Sequence, residues 1–182
     1  MPIVLGTSSG FVTTAPTADP TGAVDVLIDN ASVVTKDTSP GNAVRIIEVG
    51  WYRGSGTNTA NWEIGLYSDN AGVADVLLAV EATNSSSSTG WLTKAVDWLI
   101  SANTDYWLAV QMDAHAGDST IDCASSGGPG RDRKVGETTL TNPYGGGAVL
   151  SPSGMCAIYA LVETGSAAGK GARATTTIGG AF

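Results

Sequence analysis

The amino-acid sequence predicts an all-β protein, a two-sheet antiparallel sandwich of jelly-roll-like type with extended N- and C-terminal arms. Apolar and polar residues alternate with a period of two in several short segments, as in half-buried strands. Gly, Asn and Pro occur between these segments, as in tight turns. No window of ten or more residues has the spacing of an amphipathic helix, so nothing competes with the all-β interpretation.

The alternation predicts the strands in order. They are expected at residues 23–34, 43–53, 61–68, 76–82, 90–100, 106–113, 119–124 and 155–163. In the second of them Ile47, Val49 and Trp51 share one face, which we expect to point into the core. The last is apolar on both faces, as in a central strand that is covered on both sides. The rest of residues 114–154, including the charged patch 131–134, is expected to be loop.

The chain divides into three parts. Residues 1–22 read as an extended arm, residues 23–163 as the sandwich domain, and residues 164–182 as a second arm rich in Gly, Ala and Thr. Terminal segments of this composition stay disordered unless something holds them. We expect neighbouring copies of the chain to hold these segments, with Phe11, Ile178 and Phe182 as the anchors of the assembly.

Composition excludes several classes of partner. The net charge of −8 disfavours nucleic acid, and no apolar run is long enough to span a bilayer. The first five residues lack the basic and apolar regions of a signal peptide, which favours a protein made and kept in the cytosol. In that compartment Cys123 and Cys156 are expected to be reduced thiols, and a disulfide requires that their strands be neighbours.

No motif predicts an enzyme. The chain has no phosphate-binding glycine loop and no nucleophile elbow, and its single histidine, His115, is expected to be solvated in a loop. The best carboxylate pair for glycoside hydrolysis is Glu48 with Glu63, on the polar faces of two strands, where surface charge explains both equally well. We therefore expect no catalytic residues and no cofactor.

Calcium is the one cofactor that the sequence leaves open. Carboxylates and amides that could supply oxygen ligands occur at Asp69 and Asn70, and again at Asp113, Asp118 and Asp122. Asp and Asn are also common turn residues, and the structural interpretation is favoured.

A carbohydrate-binding face is the alternative to a purely structural role. Alternation places Tyr67, Trp107 and Gln111 on the sides of their strands opposite to the core, where rings could stack on a sugar and the amide could bind its hydroxyls. Burial under an arm or in a subunit contact explains the same aromatic residues.

Three stretches carry a resemblance. They are residues 1–20, Trp62-Glu-Ile-Gly-Leu-Tyr-Ser-Asp-Asn70 and Tyr106-Trp-Leu-Ala-Val-Gln111. Together they resemble phage-type and metagenomic structural β-sandwich proteins, and the latter two are also similar to jelly-roll modules of secreted bacterial proteins and carbohydrate-binding domains. The resemblance spans residues 43–113 and carries no functional residue.

The resemblance implies a non-enzymatic virion structural protein, such as a head decoration, capsid-associated or tail component. Its partners would be copies of itself and other virion proteins, and it would assemble in the host cytoplasm. The alternative is a glycan-binding module, such as the receptor-binding part of a phage fibre.

Overall fold

The structure is a computed structural model that describes residues 1–21, 24–56, 59–113, 119–145, 148–151 and 153–165. Within these ranges the chain forms strands and no helix, so no described helix could cross a membrane. The strands are β1 (Gly10–Val12), β2 (Val24–Leu27), β3 (Ala31–Thr38), β4 (Ala43–Ser55), β5 (Ala60–Asn70), β6 (Val73–Ser86), β7 (Gly90–Leu99), β8 (Asp105–Met112), β9 (Thr120–Ala124), β10 (Arg131–Val135), β11 (Ala148–Ser151), β12 (Met155–Cys156) and β13 (Ile158–Thr164).

These strands form two packed sheets, which confirms the predicted all-β sandwich. The first sheet has the order β1-β13-β4-β9-β12, with β2 paired to β9 and β7 paired to β4. The second has the order β11-β10-β3-β8-β5-β6. β1 pairs with β13 in parallel, whereas the pairs β3–β8, β5–β8 and β5–β6 that build the second sheet are antiparallel. The jelly-roll type of connection stays a prediction.

Three predicted boundaries are wrong. Residues 23–34 form two strands, because a turn with Asn30 at a φ of 46° carries the chain from β2 in the first sheet to β3 in the second. The segment 155–163 is interrupted at Ala157 between β12 and β13. Two parts of the segment that was expected to be loop are strands: the charged patch forms β10, which pairs with β3, and Ala148–Ser151 form β11, which pairs with β10.

The core lies between the two sheets and joins them through aromatic side chains. Trp51 of β4 and Trp62 of β5 meet edge to face, with ring centroids 6.1 Å apart. Val49 is buried with Trp51 as predicted, but Ile47 is 39% exposed. A bulge between Ile46 and Glu48 shifts the alternation, so Ile46 takes the inward position.

Residues 1–21 pack on their own domain, so the expectation that they form an extended arm is corrected. The outer face of the first sheet carries a small apolar cluster in which Ile3 and Leu5 pack with Tyr52, Trp91 and Met155. Trp91 Nε1 also donates a hydrogen bond to the Ala18 carbonyl, at 3.0 Å. An apolar sheet face is thereby covered by the chain itself.

Phe11 is not an anchor for a neighbouring copy. Its side chain is 4% exposed and meets the Tyr106 ring edge to face, with centroids 6.0 Å apart. Its backbone pairs in β1 with Ala160 of β13, and its N–H donates to Asp37 Oδ2 at 2.8 Å. The predicted anchors Ile178 and Phe182 lie outside the described residues.

Candidate functional site

The aromatic pair that was predicted to stack on a sugar is buried. Tyr67 of β5 lies directly opposite Trp107 of β8, on the outer face of the second sheet. Tyr67 is fully buried and Trp107 is 5% exposed. Their polar atoms are also engaged, since Trp107 Nε1 donates to Asp69 Oδ1 at 2.8 Å and Tyr67 donates to the Thr141 carbonyl at 2.7 Å. The prediction of an open stacking face is therefore wrong.

A loop of the same chain, residues 136–145, covers this face. Leu140 and Tyr144 of the loop form a buried cluster with Tyr67 and Trp107, and the rings of Tyr67 and Tyr144 meet edge to face at 5.4 Å. Gly65 makes room for the loop, because a Cβ there would lie 2.8 Å from Leu140 Cδ1. Burial under a covering segment, the alternative for these aromatic residues, is what the structure shows.

Gln111, the third predicted glycan-binding residue, lies at the margin of this cover and lines a pocket. The pocket has a volume of about 280 Å³. It is lined by Asn61, Trp62, Glu63, Ala82, Thr83, Gln111, Asp113, Thr138 and Thr139. It lies where the ends of β5 and β8, the bulged part of β6 and the start of the covering loop meet.

The polar groups that line the pocket are held by hydrogen bonds to one another and to the covering loop. Gln111 Nε2 donates to the Glu137 carbonyl at 2.9 Å and to Asp113 Oδ1 at 3.2 Å. Asn61 donates to the other oxygen of Asp113 at 3.2 Å, and the Leu140 N–H donates to Glu63 Oε2 at 2.8 Å. The carboxylates are thus held in place by amides, and Gln111 connects the sheet to the covering loop.

The backbone of β6 shapes one wall of the pocket. The register of β6 against β5 shifts between Trp62 and Ile64, so that Ala82 and Thr83 together face one residue of β5, Glu63. Thr83 has a φ of 65°, a conformation that a β-branched residue adopts only under strain. Bulges of this kind often lie beside functional sites.

Glu48 and Glu63 do not form a pair. Glu48 is on the first sheet, where it accepts a hydrogen bond from the Tyr159 hydroxyl. Glu63 is on the second sheet beneath the covering loop. The core lies between the two sheets, so the hypothesis of a glycosidase with these two carboxylates is wrong.

The carboxylates of the predicted calcium sites either have other partners or lie on different sheets. Asp69 forms an ion pair with Lys36 at 3.0 Å and, although burial opposes it, hydrogen bonds from Gly72, Trp107 and Lys36 lower its pKa. Asp113 follows β8 of the second sheet, whereas Asp122 is on β9 of the first, and Asp118 and His115 lie outside the described residues. In the described part of the chain no three His, Cys, Asp or Glu side chains are grouped to hold a metal ion.

Asp122 belongs instead to a carboxylate cluster on the first sheet. It lies opposite Asp25 across the β2–β9 pair. Burial, followed by the nearby charges of Asp25 and Asp19, raises the pKa of Asp122 to about 6. Asp19 belongs to the N-terminal segment and is also near Tyr52, so the cluster connects that segment to the sheet.

The two cysteines form a disulfide, so the expectation of reduced thiols is wrong. Cys123 of β9 and Cys156 of β12 are directly paired neighbours, and both are fully buried. A disulfide was expected only if the strands of the two cysteines were neighbours, and β9 and β12 are neighbours. Disulfides persist in oxidising environments.

The apolar side chains that the sandwich leaves exposed include a row on one edge strand. β6 is at the end of the second sheet, where it pairs with β5. Val73, Val76, Leu78 and Val80 of this strand are between 40% and 51% exposed. Sequence analysis predicted the strand but not that it forms the edge, because period-two alternation does not reveal the order of strands.

No family model, curated protein or solved structure matches this chain.

Proposed function

We propose that this chain is a non-enzymatic structural subunit of a virion, such as a head decoration, capsid-associated or tail component. The observation that carries the proposal is the exposed apolar edge formed by β6. Resemblance of residues 1–20, 62–70 and 106–111 to phage-type structural sandwiches supports the virion as the setting.

The β6 edge has the properties of a surface for strand pairing. An edge strand presents unpaired N–H and C=O groups to any chain that can lie beside it. β6 is 14 residues long, and its sequence contains no Lys and no Pro, the residues that commonly protect such edges. Residues 76–80 are all apolar and uncharged, so nothing in the middle of the strand repels a second strand.

The two outer faces of the sandwich do not offer a comparable surface. Residues 1–21 pack on the first sheet and residues 136–145 on the second. The covering loop also bonds to part of β6, where the Tyr144 N–H donates to the Asp75 carbonyl at 2.8 Å and the Leu77 N–H donates to Asn142 Oδ1 at 3.1 Å. Residues 78–81 are therefore the part of the edge that we propose for pairing, with Leu78 and Val80 exposed. Assembly through an edge uses main-chain hydrogen bonds for affinity and side chains for register.

A second copy of the chain is the partner that fits this edge. In an antiparallel pair centred on Ala79, Glu81 would face Leu77 of the other copy. No carboxylate then opposes another, and Leu78 meets Val80 twice. Such a two-fold contact uses one self-complementary surface, which is the commonest arrangement in homo-oligomers.

The C-terminal residues 164–182 complete the proposal. Ile178 and Phe182 would anchor the subunit to other virion proteins, while β6 joins copies of the chain. The buried disulfide suits a subunit that is made in the host cytoplasm and then persists outside it.

Amide hydrogen exchange of the full chain at low and high protein concentration tests the pairing. We expect the amides of residues 78–81 to exchange more slowly at high concentration, because pairing with a second copy protects them. The amides of β7, an edge of the first sheet, serve as the internal control and should not respond. Exchange in β6 that is independent of concentration would contradict the proposal.

A further inference from the structure

The pocket beside Gln111 is built from polar side chains on every element that surrounds it. β5 contributes Asn61 and Glu63, β6 contributes Thr83, and the covering loop contributes Thr138 and Thr139. The assembly surface proposed for β6 involves residues 78–81, which do not line the pocket. Whatever the pocket binds is therefore independent of that proposal.

Two residues that line the pocket carry a buried polar atom without a partner among the described residues, Gln111 Oε1 and Trp62 Nε1. Gln111 Oε1 is the acceptor of the two. The side chain of Gln111 is fully buried, and its Nε2 donates to Glu137 and Asp113. Two acceptors at Nε2 settle the orientation of the amide, so the remaining atom is the carbonyl oxygen. Among the described residues no donor reaches Oε1. A buried acceptor without a partner is costly, and a donor from a ligand would remove that cost.

Backbone strain at Thr83, in the adjoining wall, is a second feature of the same pocket. Thr83 holds a left-handed backbone conformation within a bulge that faces Glu63. Local strain of this kind costs about 1–3 kcal/mol and clusters at ligand sites, where it holds side chains in a required arrangement. The same pocket is also lined by two exposed threonines of the covering loop, Thr138 and Thr139.

The chemistry of the wall selects the ligand. Glu63, Asp113 and Gln111 Oε1 are acceptors, so they require a ligand with several hydrogen-bond donors. Carboxylates in the wall of a chain with net charge −8 exclude an anion. The volume of about 280 Å³ is just below the range for pockets of drug-sized molecules, which begins at about 300 Å³.

We infer that this pocket binds a small, hydroxyl-rich ligand without negative charge, of the size of one sugar ring. Hydroxyl groups would donate to Gln111 Oε1 and to the carboxylates, and would accept from the threonine hydroxyls. The aromatic pair Tyr67 and Trp107 takes no part, because the covering loop separates it from solvent.

Saturation-transfer NMR with the full chain tests this inference. The probes are the methyl glycosides of glucose, galactose, mannose and N-acetylglucosamine, each at millimolar concentration. We expect at least one of them to receive saturation from the protein. Ala82→Trp should abolish the signal, because Ala82 is exposed at the pocket wall and a large side chain there fills the space.

Two further variants make the result specific. Ala95→Trp places the same side chain at an exposed position of β7, outside the pocket, and should bind like the wild type. Thr138→Val removes one rim hydroxyl with little change in shape and should weaken binding about fivefold, which corresponds to one hydrogen bond.

Three results would overturn the inference. They are no binding of any of the four glycosides by the wild-type chain, undiminished binding by both Ala82→Trp and Thr138→Val, or displacement of the bound glycoside by millimolar calcium. The last result would mean that the carboxylates of Glu63 and Asp113 form a cation site instead.

Discussion

Asp25 and Asp122 lie directly opposite each other on the antiparallel strands β2 and β9 and share a hydrogen bond between their side chains. Such a bond requires that one of the two carboxyl groups carry a proton. Asp122 is the buried partner, with 8% of its surface exposed. Protonation of Asp122 therefore affects how firmly β2 pairs with β9.

This pair predicts that the contribution of Asp122 to stability falls as the pH rises toward neutrality. Burial and then the charges of Asp25 and Asp19 raise the pKa of Asp122 to about 6 from an ordinary value of 3.8. A raised pKa means that the folded state binds the proton more tightly than the unfolded state. The resulting stabilisation is complete below pH 3.8 and disappears as the pH passes 6.

Urea unfolding between pH 4 and 7.5 measures this effect. We expect the contribution of Asp122 to fall by about 1–2 kcal/mol across the range, less than the full shift implies because Asp25 keeps the site partly solvated. Asp122→Asn should remove this part of the slope and be more stable than the wild type at pH 7. Asp97→Asn, at an exposed position of β7, should keep the slope; identical slopes for all three proteins would refute the prediction.

Replacement of Thr83 tests the strain at the pocket wall. Its φ of 65° suits Asn far better than a β-branched residue. We expect Thr83→Asn to raise the free energy of unfolding by about 1 kcal/mol. Thr93→Asn, at an exposed position of β7, is the control and should lower it slightly, because Asn is unfavourable in strands. Equal effects of the two substitutions would mean that Thr83 is not strained.

Reduction of the disulfide should destabilise the domain. The bridge between Cys123 and Cys156 spans a sequence separation of 33 residues. A loop of this length corresponds to about 3–4 kcal/mol of stabilisation, through restriction of the unfolded chain. Denaturation midpoints of the oxidised chain and of the chain kept in reductant measure the difference. Coincident midpoints would show that the bridge contributes nothing to stability.

Deletion of residues 166–182 separates folding from assembly. The core described above lies within residues 1–165, so the truncated chain should unfold at the same temperature as the full chain. Under our proposal it should still pair through β6 but lose its attachment to other virion proteins. A truncated chain with a much lower unfolding temperature would assign the tail to the domain itself.

Sequence patterns predicted well what depends on neighbours along the chain. Period-two alternation correctly placed Trp51, Trp62 and Leu108 in the core, because a strand turns successive side chains to opposite faces. The alternation failed at Ile47, where a bulge inserts one residue and reverses the faces. Bulges leave no signature in the polarity of the side chains.

Contacts between distant segments could not be predicted in the same way. Alternation correctly put Tyr67 and Trp107 on the outer face, but Leu140 and Tyr144, which bury them, are more than 30 residues further along the chain than Trp107. Likewise Glu63 and Gln111 were both recognised as polar positions, yet their proximity follows from the pairing of β5 with β8. Strand order decides both, and local patterns do not encode it.

The native mass of the full chain by light scattering, with and without Leu78→Lys, tests the central claim most directly. Leu78 is 51% exposed on β6, so Lys at this position should preserve the fold and repel a second copy. Val135→Lys, at a 65% exposed position of β10, is the matched control. The account predicts dimers or larger species for the wild type and for Val135→Lys, and monomers for Leu78→Lys. Monomers for the wild type at every concentration, or an unchanged mass for Leu78→Lys, would contradict it.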